Sequence, residues 1–107
     1  MKRMTDLISL DGKTALVTGG AGYLGEAICE VLAEVGATVI IASRNVNNCE
    51  SLAARLKNEG FKAEAVKLDV TDSASVRTAF QYVKESFGGI DILVNNAWSG
   101  NKNSFES

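Results

Sequence analysis

The feature that most constrains this chain is an alternation of short apolar segments with longer, periodically apolar ones. Residues 14–18, 38–42, 61–70 and 90–97 are rich in apolar and β-branched side chains, which predicts four buried strands. The segments between them predict three helices, over residues 24–35, over residues 45–59, and from a cap at Thr71 or Asp72 to the glycines at 88 and 89. Apolar strands that alternate with helices predict an α/β fold, a parallel sheet with helices on both faces.

Each predicted helix carries an apolar stripe that we expect to face the sheet. The stripes are Leu24, Ala27, Ile28, Val31, Leu32 and Val35 in the first helix, Leu52 and Leu56 in the second, and Val76, Ala79, Phe80, Val83 and Phe87 in the third. Glycines follow the three helices, and Thr71 or Asp72 is the expected cap of the third. Right-handed crossovers place the first two helices on one face. With the strand order 3-2-1-4, the third helix crosses to the other face, and a ligand is expected between strands one and four.

Composition narrows the function classes. The 107 residues form one predicted domain, with a net charge of −2 that favours neither nucleic acid nor an acidic membrane as partner. There is no histidine, and the two cysteines are 20 residues apart, so we expect no metal site and no disulfide framework. The N-terminus does not resemble a signal peptide, and no segment is long enough to cross a bilayer. These features predict a cytoplasmic protein.

A glycine-rich loop joins the first strand to the first helix. Glycines occupy positions 19, 20, 22 and 25, and Tyr23 and Leu24 complete the loop. Glycine tolerates a tight strand-to-helix turn and lets backbone amides approach a pyrophosphate, which the helix N-terminus also attracts. The alternative is a turn that only packs the helix on the sheet. The position after a buried strand and before an amphipathic helix favours a dinucleotide-binding loop.

The end of the second strand bears on the choice of cofactor. Dinucleotide sites that prefer NAD place an acidic residue here for the ribose hydroxyls, but this chain has Ser43, Arg44 and Asn45. A guanidinium can hold a 2′-phosphate through charge-assisted hydrogen bonds, so the sequence favours NADP, with NAD as the alternative. The missing acid also argues against an S-adenosylmethionine site. In the plainer interpretation, Arg44 is only a solvated loop charge.

Polar residues also end the third and fourth strands. Asp69 is a candidate acceptor for the adenine amino group, or simply a turn residue. Asn95 and Asn96 are adjacent amides that are costly to bury unless they are hydrogen-bonded, whether to neighbouring backbone or to a cofactor.

Together these motifs resemble the short-chain dehydrogenase/reductase family. The resemblance is carried by residues 11–20, by Gly25, by Asp69-Val70 and by Asn95-Asn96-Ala97, in the family's order and spacing. It implies a Rossmann-type fold in which Gly19 to Gly25 hold the pyrophosphate and Asp69 and Val70 the adenine. It further implies that Asn95 braces the sheet and that Ala97 lies beside the nicotinamide ribose.

Two departures keep other functions open. The spacing Gly-x-x-Gly-x-x-Gly, with Tyr23 after Gly22, is nearer the family's extended branch of sugar-nucleotide epimerases and dehydratases. The family's catalytic Tyr-x-x-x-Lys is missing, because the fourth residue after Tyr23 is Ala27 and after Tyr82 is Ser86.

We therefore predict that residues 1–107 are the N-terminal, cofactor-binding half of an NADP-dependent oxidoreductase, inactive alone, whose parent acts on a small carbonyl or alcohol. The alternatives are an extended-type epimerase or dehydratase and a non-catalytic dinucleotide sensor. The fourth strand is expected at an exposed edge of the sheet, which favours a homo-oligomer.

Overall fold

The computed structural model describes residues 9–19 and 22–96. Its elements are, in chain order, β1 (Thr14–Thr18), α1 (Tyr23–Glu34), β2 (Thr38–Ser43), α2 (Val46–Asn58), β3 (Ala63–Lys67), α3 (Ser73–Phe87) and β4 (Ile92–Asn95). Every predicted strand and helix is present. The third and fourth strands are shorter than the apolar segments that predicted them, because those segments include the turns that flank each strand.

The four strands form one parallel sheet in the order β3-β2-β1-β4, which confirms the predicted topology. The register places Thr18 opposite both Ala42 and Asn95, and Ser43 opposite Lys67. The carboxyl ends of all four strands therefore meet along one edge of the sheet, where ligands bind in folds of this kind.

Two apolar cores cover the two faces of the sheet. Val17, Val39 and Ile41 pack against α1 and α2 on one face. Leu16 and Ile40 pack against α3 on the other, where Ala79 and Val83 are buried. Because side chains alternate along a strand, each strand contributes to both cores, as the continuously apolar sequence of β1 and β2 requires.

The predicted stripe of α1 is wrong in part. Leu24 is 61% exposed, Val31 is 51% exposed and Ala27 is also exposed. The residues that face the sheet most closely are small, and they are spaced four apart: Gly25, Cys29 and Ala33. Small side chains let the helix axis approach the sheet, so the contact face is rotated away from the larger apolar residues.

The ends of α3 follow the sequence prediction. The Asp72 carboxylate accepts a hydrogen bond from the Ala74 amide at 3.0 Å, so Asp72 is the N-cap, and the helix ends at Gly88. Within residues 9–19 and 22–96, no helix combines the length and the apolar character that a bilayer-crossing segment needs.

Candidate functional site

A cleft of about 710 Å³ lies across the carboxyl ends of the strands. This volume is within the range of small-molecule and cofactor sites. Segments that follow all four strands contribute to its walls. The lining residues are Thr18, Gly19, Gly22, Tyr23, Leu24, Ala42, Ser43, Arg44, Asn45, Leu68, Asp69, Val70, Thr71, Asn95 and Asn96.

The loop between β1 and α1 is held in place by backbone hydrogen bonds. The Gly19 amide donates to the Ala42 carbonyl at 2.7 Å, and the Gly22 amide donates to the Gly19 carbonyl at 3.2 Å. Gly19 has a φ of +69°, in the left-handed region that favours glycine. The loop therefore turns sharply away from the end of β1. Gly20, also predicted to bind the cofactor, lies outside the described residues.

The start of α1 presents backbone amides toward the cleft. Gly22 is the N-cap, and the Glu26 amide closes the first turn on the Gly22 carbonyl at 2.8 Å. The amides of the first turn have no partner within the helix, and Gly22 has no side chain to occupy them. Together with the positive end of the helix dipole, they suit an anionic group.

The remaining loop residues differ in how far they are exposed to solvent. Tyr23 is fully exposed and Leu24 largely so, and both line the cleft, whereas Gly25 is buried. Gly25 therefore allows close packing of the helix rather than lining the cleft. Because the Tyr23 side chain lies in solvent, this position accepts a bulky residue without disturbing the turn.

The end of β2 forms a small turn of its own. The Ser43 hydroxyl accepts a hydrogen bond from the Asn45 amide and donates to the Asn45 carbonyl, both at 3.1 Å. The Cys49 thiol also donates to this hydroxyl at 3.3 Å. Ser43 thus shapes the turn. Arg44, between Ser43 and Asn45, is exposed and lines the cleft.

Asp69 fixes the turn after β3. Its Oδ1 accepts hydrogen bonds from the Thr71 amide at 3.0 Å and the Thr71 hydroxyl at 2.7 Å. These bonds, followed by the positive charges of Arg44 and Lys67, hold the pKa of the Asp69 carboxyl below its ordinary value. Asp69 is therefore the turn residue that the sequence allowed, and it also lines the cleft with Val70 beside it.

Thr18 and the two asparagines join the ends of β1 and β4. The Thr18 hydroxyl donates toward Asn95 Oδ1 at 3.0 Å and the Val94 carbonyl at 3.3 Å. The Asn96 amide donates to the Thr18 carbonyl at 3.2 Å and to its hydroxyl at 3.1 Å. The Asn96 side chain donates to the Gly19 carbonyl at 3.4 Å. The asparagines therefore tie β4 to the glycine loop. Ala97, the last predicted site residue, lies outside the described residues.

Sequence reasoning did not single out every residue of the cleft. Thr18, Ala42, Leu68 and Thr71 also line it, and Thr18 is the residue on which its hydrogen bonds converge. A threonine at the last position of a buried strand, directly before a glycine, was the available signal.

The chemistry of these groups fits a dinucleotide. Free amides at the start of α1 suit a pyrophosphate, and the turns after β2 and β3 form a slot with an arginine on one side and a carboxylate on the other. Apolar contact within the cleft comes from Leu24, Ala42, Leu68 and Val70. Polar groups that converge on a partly apolar cleft are typical of cofactor sites.

Comparison with known proteins agrees with this geometry. The family model described as short chain dehydrogenase matches residues 13–107. The chain is 44% identical over 88 residues to the short chain dehydrogenase/reductase dpchG of Colletotrichum higginsianum, covering 82% of this chain and 33% of the relative. It is 47% identical over 88 residues to galactitol 2-dehydrogenase of Agrobacterium fabrum, with the same two coverages.

A solved structure extends the likeness to three dimensions. The gluconate 5-dehydrogenase of Burkholderia cenocepacia, solved in complex with NADP and tartrate, superimposes with a TM-score of 0.79 at 41% identity. The match covers 89% of this chain and 37% of that one. The chain thus spans about a third of the length of these proteins. None of these comparisons supports the epimerase or dehydratase alternative, or the non-catalytic sensor.

Proposed function

The chain belongs to the short-chain dehydrogenase family, and we propose that it binds NADP in preference to NAD across the carboxyl edge of its sheet. The observation that carries this proposal is the end of β2, which brings Arg44 into the cleft and no carboxylate. A carboxylate at this position accepts hydrogen bonds from the ribose hydroxyls and repels a 2′-phosphate, whereas a guanidinium attracts it.

The cleft residues then have distinct roles. Gly19, Gly22 and the first amides of α1 bind the pyrophosphate, and Gly25 lets the helix approach. Asp69 and Val70 border the adenine. Asn95 and Asn96 hold the loop against β4, which keeps the wall of the cleft in place beside the nicotinamide half of the cofactor.

The reaction belongs to the whole protein. When bound, the cofactor supplies hydride transfer to or from a carbon that carries oxygen. The family's Tyr-x-x-x-Lys does not occur in these 107 residues, and the match covers only 33% of each of the two relatives. We therefore propose that residues 1–107 are the cofactor-binding half of an oxidoreductase that acts on a small carbonyl or alcohol. Its expected compartment is the cytoplasm, in keeping with two buried, unpaired cysteines.

Calorimetric titration with NADPH and NADH tests the cofactor preference. A charge-assisted pair contributes about 1.5–3 kcal/mol, and exposure of Arg44 lowers that contribution, so we expect NADPH to bind about tenfold more tightly. Arg44→Ala should bring the two affinities within about twofold, mainly by weakening NADPH.

Arg77→Ala is the matched control, because Arg77 is an exposed arginine on α3 that does not line the cleft. This variant should leave the preference for NADPH unchanged. Equal binding of the two nucleotides by the unaltered chain, or an NADPH preference that survives Arg44→Ala, contradicts the role proposed for Arg44.

A further inference from the structure

Lys67 occupies a position that its place in the sequence does not reveal. It is the last residue of β3, and the sheet register pairs it with Ser43 at the end of β2. Ala63 and Ala65 pack toward the core beneath α1 and α2, and Lys67 shares their face of the strand by alternation. Its side chain is exposed. Lys67, at the end of β3, thus places a positive charge beside the turn that carries Arg44.

These two cations line one concavity. A shallow depression of about 570 Å³ adjoins the main cleft and is lined by Arg44, Asn45, Val46, Asn47 and Lys67. Arg44 and Asn45 belong to both the depression and the cleft, so the two are continuous. The lining of the depression contains no carboxylate.

Both cations are free of salt bridges within the part of the chain that the structure describes. The salt bridges found there all involve Arg55, which joins Glu26, Glu30 and Glu59. Arg44 and Lys67 nevertheless both influence the Asp69 carboxyl, because their positive charges lower its pKa. That carboxylate is already engaged by Thr71.

The start of α2 adds to the positive character of the depression. The helix begins at Val46, with no acidic residue in its first turn and no side-chain hydrogen bond from its N-cap, Asn45. Its first amides and the positive end of its dipole are therefore directed at the same place as the two cations. The lining thus combines two full positive charges with a helix terminus, and none of its residues is acidic.

We propose that Lys67 is a specificity-determining residue that acts with Arg44 to hold the 2′-phosphate of the cofactor. This inference rests on the proposed function. A phosphate monoester carries close to two negative charges at neutral pH, so a single guanidinium leaves part of that charge uncompensated. Arg44 supplies a planar, two-pronged donor, and Lys67 supplies a mobile point charge from the neighbouring strand.

Adenosine 2′,5′-bisphosphate and adenosine 5′-monophosphate are the probes, since they differ only in the 2′-phosphate. Calorimetric titration of the full 107-residue chain should give a several-fold tighter Kd for the bisphosphate. Lys67→Gln should weaken bisphosphate binding about fivefold and leave the monophosphate within twofold. Lys67→Arg, which keeps the charge, should retain most of the bisphosphate affinity. Circular dichroism verifies that each variant is folded.

Lys62→Gln is the matched control. Lys62 is exposed just before β3, at the opposite end of the strand and about 16 Å from Lys67 along the backbone. Lys62→Gln removes the same charge as Lys67→Gln, but from a position farther from Lys67 than the screening length of about 8–10 Å at physiological salt. The affinities for both nucleotides should therefore stay within twofold of those of the unaltered chain.

The outcomes separate this inference from the proposed function. If Lys67→Gln leaves the bisphosphate preference intact while Arg44→Ala removes it, the role of Lys67 is overturned and the preference for NADP stands. If the unaltered chain binds the two nucleotides equally, the proposed function fails, and the inference fails with it. A loss in Lys62→Gln equal to that in Lys67→Gln shows a general charge effect and also overturns the role of Lys67.

Discussion

Replacing Gly19 with alanine tests the link between the shape of the loop and nucleotide binding. Gly19 has a φ of +69°, and an L-residue in the left-handed region costs about 1–2 kcal/mol. Alanine also reduces the conformational freedom of the unfolded chain, which stabilises the folded state by about 0.4–1 kcal/mol and offsets part of that cost. The expected net loss in the free energy of unfolding is therefore about 1 kcal/mol. Relief of the strain by rotating the loop would misplace the amides at the start of α1, so we expect the NADPH affinity to fall at least tenfold.

Gly60→Ala is the control for the conformational cost. Gly60 has a φ of +93°, and a Cβ at this position would meet no atom within 4 Å. It follows α2 at the amino end of β3, away from the cleft. This variant should lose a similar free energy of unfolding in urea, followed by circular dichroism, and keep its NADPH affinity within about twofold.

Gly19→Asn separates the two effects further. Asparagine tolerates the left-handed region better than alanine, so part of the stability should return. A side chain still lies at the edge of the cleft, so NADPH binding should remain weak. The reasoning is refuted if Gly19→Ala binds NADPH as tightly as the unaltered chain, or if its affinity loss is matched by Gly60→Ala.

Two further predictions concern the core and the edge of the sheet. Burial raises the pKa of the Cys29 thiol to about 12, so the folded state favours the neutral thiol and its stability should fall above pH 9, by up to about 1.4 kcal/mol per pH unit. Unfolding measured from pH 8 to 10 should show a shallower decline in Cys29→Ala, and an equal decline contradicts the assignment. Leu93 on the edge strand β4 is 54% exposed, and we expect the chain to self-associate there. Sedimentation at high concentration should show oligomers that Leu93→Glu disperses, whereas a monomer at every concentration refutes the prediction.

Most of the fold could be predicted because its signals are local. Apolar runs that end at a glycine or a polar residue gave the strands, and Leu52 and Leu56 of α2 are buried as their spacing predicts. The sequence predicts the contact face of α1 only in part, because hydrophobic periodicity follows the large apolar residues, whereas the helix packs on the sheet through the small Gly25, Cys29 and Ala33. Their spacing of four residues was visible in the sequence but carries little hydrophobic signal.

The candidate site was harder to predict, because it depends on register and on local hydrogen bonds. The sequence identified Ser43 and Asp69 as cleft residues, but not that Asn45 and Thr71 engage their oxygens in turns. No sequence motif marks Lys67, because only the pairing of β2 with β3 brings it opposite Ser43. A residue's neighbours across a parallel sheet come from distant parts of the chain, and no local pattern records them.

The bonds that tie Thr18 to Asn95 and Asn96 have a consequence for the order of events during synthesis. Thr18 and Asn95 are 77 residues apart, so the hydrogen bonds that fasten the glycine loop form only after nearly all of the described chain has left the ribosome. A nascent chain that has completed β1, β2 and β3 can bond Gly19 to Ala42 but lacks the further bonds that β4 and Asn96 supply. Nucleotide binding should therefore arise only when β4 docks, because that step completes the hydrogen bonds around the glycine loop.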